Sequence, residues 1–272
     1  MFDFTQKIYY ELIKKLFESK YNFETYFQHC TNHSVLKKVI LRHDIDRIPL
    51  NAVKTAQIEY SLGIKGTYYF RIVPQSYDLN IMNKVAELGH EIGYHYEDVD
   101  LVISNNKELR KKKQGQIIDS AFESFCKNLE LFRRNFDIKT ICMHGSAMGE
   151  YDNRIIWQKY NYRDLGIIGE PYMDLDFDEF AYLTDTGRRW NGEKYSLRDK
   201  VKSKYIFNFK STWDIIASIY RLPDKIMFTI HPQRWHNEPV LWLKEMVFQN
   251  AKNQIKTLLS SRRLTRAKKI IP

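Results

Sequence analysis

Short apolar runs alternate with amphipathic segments along most of the chain. Runs rich in β-branched and aromatic residues predict strands at residues 39–41, 66–71, 90–95, 140–143 and 225–230, with shorter ones near 166–169 and 180–183. Apolar residues at helical spacing predict helices at residues 4–19, 52–60, 79–88, 116–133, 213–220 and 239–259. A strand, helix, strand unit recurs twice within about sixty residues, which is typical of a parallel α/β architecture.

The composition fits a folded domain. With 43% hydrophobic and 14% aromatic residues, the 272-residue chain can bury a large core, so disorder is excluded. Without a linker rich in Pro, Gly or Ser, residues 1–272 are expected to form a single domain with an N-terminal helix and a basic C-terminal tail. Three cysteines, no apolar run long enough to span a membrane and no secretory signal together predict a cytoplasmic protein.

The formal charge of +10 raises the question of a polyanionic partner. Much of the positive charge lies in residues 110–113 and 262–269, and neither run belongs to a recognisable nucleic-acid-binding module. We therefore expect a solvated face and a frayed tail, with no nucleic-acid partner. The remaining alternative is weak contact of the C-terminal tail with anionic lipid, or with a phosphorylated substrate.

Polar residues follow the apolar runs at four places. Asp44 and Asp46 follow the run 39–41, and His95, His144 and His231 each end a later one. Because parallel strands present their C-terminal ends to one rim, we expect these side chains to converge. Aspartate and histidine ligands suit Zn²⁺, and also Co²⁺, Ni²⁺ or Fe²⁺, and such a metal equips a site to hydrolyse an amide or ester.

The order of these motifs resembles the polysaccharide deacetylase family, the NodB-homology domain of carbohydrate esterase family 4. His43-Asp44-Ile45-Asp46 is followed by Glu91-Ile92-Gly93-Tyr94-His95 and later by Thr229-Ile230-His231, and within the family the chain most resembles an uncharacterised WbmS-like bacterial branch. The resemblance implies a distorted (β/α) barrel with about seven parallel strands. It also implies a metal-dependent enzyme that removes N- or O-acetyl groups from sugars.

Carried over residue by residue, the resemblance implies that Asp44 is the general base and His231 the general acid. Asp46 and His95 match the family's metal ligands. The family's second histidine would fall at Val99, which cannot bind a metal. We expect His144 to be the third ligand.

Two sets of alternatives remain open around that assignment. Glu97 and Asp98 are the alternatives to His144 as third ligand. The arginine that orients the base in the family is not recognisable either, and Arg42, Arg71 or Arg188 is expected to replace it.

The expected substrate is an acetylated sugar on a nucleotide-linked or lipid-linked precursor of a surface polysaccharide. Substrate contacts are predicted at five side chains, with the two tryptophans forming an apolar wall for the acetyl methyl group. These residues are Tyr69, Arg71, Arg188, Trp190 and Trp235. Because the second histidine is missing, the alternative function is an inactive glycan-binding or scaffolding relative.

Overall fold

Seven parallel strands form one sheet in the computed structural model, which describes residues 2–32, 36–145, 149, 151–190 and 201–268. The strands are β1 (Asn22–Glu24), β2 (Lys38–Ile45), β3 (Thr67–Phe70), β4 (Glu91–Tyr96), β5 (Ile141–Met143), β6 (Ala181–Thr184) and β7 (Lys225–Ile230). The α-helices are α1 (Gln6–Glu18), α2 (Tyr26–Thr31), α3 (Leu50–Ser61), α4 (Leu79–Glu87), α5 (Asp98–Asn105), α6 (Gln114–Arg133), α7 (Pro171–Asp174), α8 (Thr212–Ala217) and α9 (Pro239–Lys268). Short 3₁₀ helices occupy Lys107–Lys111, Asn153–Gln158, Tyr162–Leu165, Ile219–Arg221 and Pro232–Arg234.

The sheet curls into a distorted, incomplete (β/α) barrel, which confirms the predicted fold class. Its strand order is β5-β4-β3-β2-β7-β6, and β1 pairs with the first residues of β2. The curvature is visible at Arg42 in the central strand, whose Nη2 donates to the Tyr172 hydroxyl (2.9 Å) in α7, beyond the β5 edge. Because every pairing is parallel, the C-terminal ends of the strands meet at one rim.

The alternation of β2 separates the outer core from the barrel interior. Val39 and Leu41 face outward and pack in a cluster with α1 and α8, whereas Ile40 faces inward with Tyr26 and Met227. A second outer cluster lies under α3, α4 and α6. Successive β2 side chains therefore alternate between the helices and the interior, so the even-numbered Arg42 and Asp44 point into the barrel.

Most predicted elements are present with shifted ends, and β7 matches its predicted bounds. Residues 166–169 are not a strand, since only Gly169 forms an isolated bridge, with Thr140. The helices α2 and α5 and the strand β1 have no counterpart among the sequence predictions. Helix α9 extends to Lys268, so residues 262–268 of the basic run are helical and not a frayed tail. Across the described residues, no helix is both long and apolar enough to cross a membrane.

Candidate active site

A polar cavity of about 290 Å³ opens at the C-terminal rim of the barrel. All five strand-end residues predicted to converge, Asp44, Asp46, His95, His144 and His231, line it. A larger, shallower depression of about 470 Å³ lies near the N-terminal ends of β3 and β4. Among the described residues, two groups of three side chains lie close enough together to hold a metal ion, and neither group is in this depression. The rim cavity is therefore the candidate active site.

Three side chains form a set that could bind a metal. Asp46 Oδ1 lies 3.7 Å from His95 Nε2 and 3.6 Å from His144 Nε2. Tetrahedral ligands at zinc distances lie about 3.4 Å apart, so a small contraction would bring these atoms onto one ion. Asp46 Oδ1 is buried and accepts no hydrogen bond from a described residue. An oxygen withdrawn from water without a donor is expected where a cation binds, so the residues fit the metal that the motif order implies.

Both histidines are held so that Nε2 faces this set. His95 Nδ1 lies 2.9 Å from the Cys142 carbonyl oxygen, to which its N–H donates, and burial lowers the pKa of His95 to about 4. The imidazole is therefore neutral, as a metal ligand must be. His144 Nδ1 lies 2.8 Å from Glu97 Oε2. Carboxylates and carbonyls behind a histidine fix the orientation of metal-binding imidazoles.

Glu97 and Asp98, the alternatives to His144 as third ligand, do not line the cavity. The Glu97 carboxylate accepts two hydrogen bonds from Arg71 (2.8 and 2.7 Å), and its contacts with His144 and Arg71 lower its pKa to about 2 despite burial. Asp98 is fully buried and bonded to Tyr94, Ser124 and Asn128, outside the cavity. Arg71 lines the cavity, but its guanidinium donates hydrogen bonds to the Glu97 carboxylate and to the Asp46 carbonyl oxygen.

Asp44 is fixed by an arginine two residues earlier on the same strand face. Arg42 Nε and Nη2 donate to its two carboxylate oxygens at 2.9 and 2.6 Å, and neither side chain is exposed by more than a few per cent. Although burial alone would raise it, the pKa of Asp44 is lowered to about 2, chiefly by Arg42 and next by His95. Of the three arginines expected to orient the base, Arg42 is the one in contact. A second set of possible ligands, Asp44, His95 and Cys142, shares His95 with the first.

His231 faces the same cavity from β7, with Nε2 3.9 Å from Asp46 Oδ2. Its Nδ1 lies 2.6 Å from Asp185 Oδ1, and the Asp185 carboxylate also accepts hydrogen bonds from Arg234 Nη1 and Trp235 Nε1, each at 2.7 Å. Despite burial, Arg234 and His231 lower the pKa of Asp185. A fixed, ionised Asp185 therefore holds the His231 ring in place with Nε2 toward the cavity. Asp185 is not among the predicted site residues, although it directly follows a short strand, β6.

Four predicted substrate contacts do not line the cavity. Tyr69 is fully buried below it and bonded to Thr140 (2.9 Å). Trp190 and Trp235 pack against each other in the α1 core, where Trp235 supports Asp185. Arg188 donates to the Trp242 and Asp3 carbonyl oxygens and stacks on the Trp242 ring, anchoring α9. The apolar wall expected from the two tryptophans is therefore absent among the described lining residues.

Helix α9 and the loop after β2 supply a basic side of the cavity that the sequence analysis missed. Arg47, Gln249, Lys252 and Lys256 line it. Arg47 pairs with Glu245 and stacks on Phe248 (4.6 Å). The spacing of Gln249, Lys252 and Lys256, three and four residues apart on the last helix, was a usable signal, but only the fold shows that this helix crosses the rim.

His43 and His90 point away from the cavity. His43 Nε2 lies 2.8 Å from the buried Glu59 carboxylate, which also accepts hydrogen bonds from Tyr9 (2.5 Å) and Tyr68 (3.0 Å). His90 accepts from the Gly66 backbone and contacts the Ala56 carbonyl oxygen. These contacts tie α1, α3 and the central strands together.

Comparison with known proteins gives a distant likeness. No family model matches the chain, and no curated protein matches it. Among solved structures, the chain is similar to the Xyl-CE4 domain of a multidomain xylanase from the hindgut metagenome of Trinervitermes trinervoides. The two are 14% identical, with 81% of this chain and 85% of that chain covered and a TM-score of 0.37.

Proposed function

We propose that the protein is a metal-dependent deacetylase that hydrolyses an N-acetyl or O-acetyl group on a sugar. One observation carries the proposal. Asp44 and His231 lie on either side of the possible metal ligands: Asp44 is near His95, and His231 is near Asp46. Each is held in place by a charged partner, Arg42 for Asp44 and Asp185 for His231. A base and an acid beside one metal set are the equipment for amide or ester hydrolysis. A structural ion-pair network would have no need to hold His231 Nε2 toward the cavity.

Asp46, His95 and His144 would hold a divalent metal, most suitably Zn²⁺, with Co²⁺, Ni²⁺ or Fe²⁺ also compatible with these ligands. Bound there, the metal would lower the pKa of a water molecule and polarise the acetyl carbonyl. Because three protein ligands leave coordination positions open, water and substrate can reach such a site together.

The remaining side chains position protons. The ionised Asp44 carboxylate has a lone pair available on each oxygen beyond those bonded to Arg42, and would accept the proton of the attacking water. His231, held by Asp185, would donate a proton from Nε2 to the leaving nitrogen or oxygen. The proton is thus taken on the β2 side of the cavity and returned on the β7 side.

The sugar substrate is inferred from the order of the sequence motifs. We place the acetyl group on a nucleotide-linked or lipid-linked precursor of a surface polysaccharide, handled in the cytoplasm. The basic side formed by Arg47, Lys252 and Lys256 favours a substrate that carries phosphate. An odd number of cysteines without paired spacing favours the reducing compartment.

The test compares metal content and acetate release. The protein, purified without chelator or affinity metal, is expected to carry about one metal per chain. Asp46→Ala and His144→Ala should lose it, whereas the matched variant Asp44→Asn should keep the metal and lose turnover on acetylated sugars. Turnover retained by Asp44→Asn would refute its role as base. A protein that binds acetylated glycans without releasing acetate would support the inactive glycan-binding alternative.

A further inference from the structure

Helix α9 has two faces of opposite character, and the polar face is the one turned toward the protein. Glu245 and Gln249 are each only 5% exposed, and Asn253 is buried against the Gly187 carbonyl oxygen. Gln249 and Lys252 line the active-site cavity. An ordinary surface helix buries its apolar stripe instead.

The opposite face presents aliphatic side chains to solvent. Val240, Leu243, Val247 and Ile255 are between 52% and 64% exposed. Their spacing of three, four and eight residues places them along one side of the helix, away from Glu245 and Gln249. A contiguous apolar stripe of this kind marks a surface that binds something apolar.

The charge on α9 indicates which kind of partner covers the apolar stripe. The helix contains seven basic residues and a single acidic one, Glu245, which is buried and paired with Arg47. Lys252 and Lys256 line the cavity, so the basic residues left for a partner are Lys244, next to the apolar stripe in sequence, and Arg262, Arg263, Arg266 and Lys268 in the last two turns of the helix. Two copies of the chain pairing along this face would bring like charges together, and nucleic acid would leave the aliphatic stripe in water. A basic amphipathic helix matches a bilayer that contains anionic lipid.

We propose that α9 docks the protein on an anionic membrane surface, with Val240, Leu243, Val247 and Ile255 in the interfacial layer. The helix then lies in the plane of the membrane, and its polar face holds the cavity about one helix diameter, roughly 10 Å, above the lipid. This inference rests on the proposed function: a cavity at this height above the lipid could reach a sugar that projects from a lipid headgroup. The lipid-linked precursor is therefore favoured over the nucleotide-linked one.

The experiment is co-sedimentation of the full chain with vesicles of phosphatidylcholine alone, or with about one-third phosphatidylglycerol. We expect binding to the anionic vesicles that weakens with salt. The double variant Leu243→Gln/Val247→Gln should lower the partition coefficient about tenfold or more. Ile206→Gln, at a residue 88% exposed outside α9, is the matched control and should bind as the wild type does.

Either of two results would overturn the proposal: equal binding by wild type and double variant, or no binding to anionic vesicles. A wild-type dimer in solution that the double variant dissociates would identify a second copy as the occupant and would also overturn it. Circular dichroism verifies that each variant is folded, and Ile255→Gln, a single exposed replacement, repeats the test. Vesicle binding requires no turnover, so it is judged separately from the deacetylase assay.

Discussion

The Arg42–Asp44 pair should contribute strongly to stability as well as to the site. The Asp44 pKa falls from its ordinary 3.8 to about 2 in the folded protein. That difference corresponds to about 2–3 kcal/mol of stability at neutral pH. Arg42→Gln would leave a buried carboxylate without its cation, so we expect a loss of roughly 3–5 kcal/mol in the free energy of unfolding.

A double-mutant cycle measures the pair itself. Arg42→Gln, Asp44→Asn and the double variant are unfolded in urea after metal removal, and the coupling energy is expected to be about 2–3 kcal/mol at neutral pH. Because the folded-state pKa of Asp44 is lowered, this stabilisation is complete above about pH 4 and is lost as the pH falls toward 2. A coupling energy below about 0.5 kcal/mol, as for an exposed pair, would refute the reasoning.

Three further predictions concern residues that support the site. Asp185→Asn should keep the metal but lower the rate of acetate release at least about a hundredfold, because the amide no longer fixes the orientation of the His231 ring; an unchanged rate would contradict this role. Glu97→Gln should weaken metal affinity about 10–100-fold, measured against a chromogenic chelator, and unaltered affinity would argue against its support of His144. A Cβ on Gly93 would overlap the buried Tyr69 ring, so Gly93→Ala should cost about 1–3 kcal/mol in urea unfolding, and Tyr69→Leu should reduce that loss.

The convergence of the polar residues was predictable because it follows from strand ends alone. In a parallel barrel, a residue directly after a strand faces the rim, whichever helices lie between. Asp46, His144 and His231 meet for that reason, although they lie far apart in sequence. Their chemical roles stay predictions. The contact of Arg42 with Asp44 was also predictable, because residues two apart on a strand point to the same face.

Four of the five predicted substrate contacts lie away from the cavity lining, because their positions depend on tertiary packing. Nothing near Trp235 in sequence indicates that its indole N–H is used by Asp185, 50 residues earlier. Arg188 similarly finds its acceptors at Asp3 and Trp242. Which side of α9 covers the cavity was not predicted, because only the assembled rim shows which side of the helix is buried.

The position of β2 at the centre of the sheet affects how the chain folds during synthesis. The three candidate metal ligands, Asp46, His95 and His144, all precede β6 and β7 in the chain and are synthesised before them. Lys38 in β2 must nevertheless wait for Lys225 in β7 to complete its strand pairing. Such long-range parallel pairing is slow, so the nascent chain spends time with the candidate ligands translated and one edge of β2 uncovered. If these residues bind a metal as proposed, early binding would hold β2 and β4 together through that interval, and metal supply during translation would then affect the yield of folded protein.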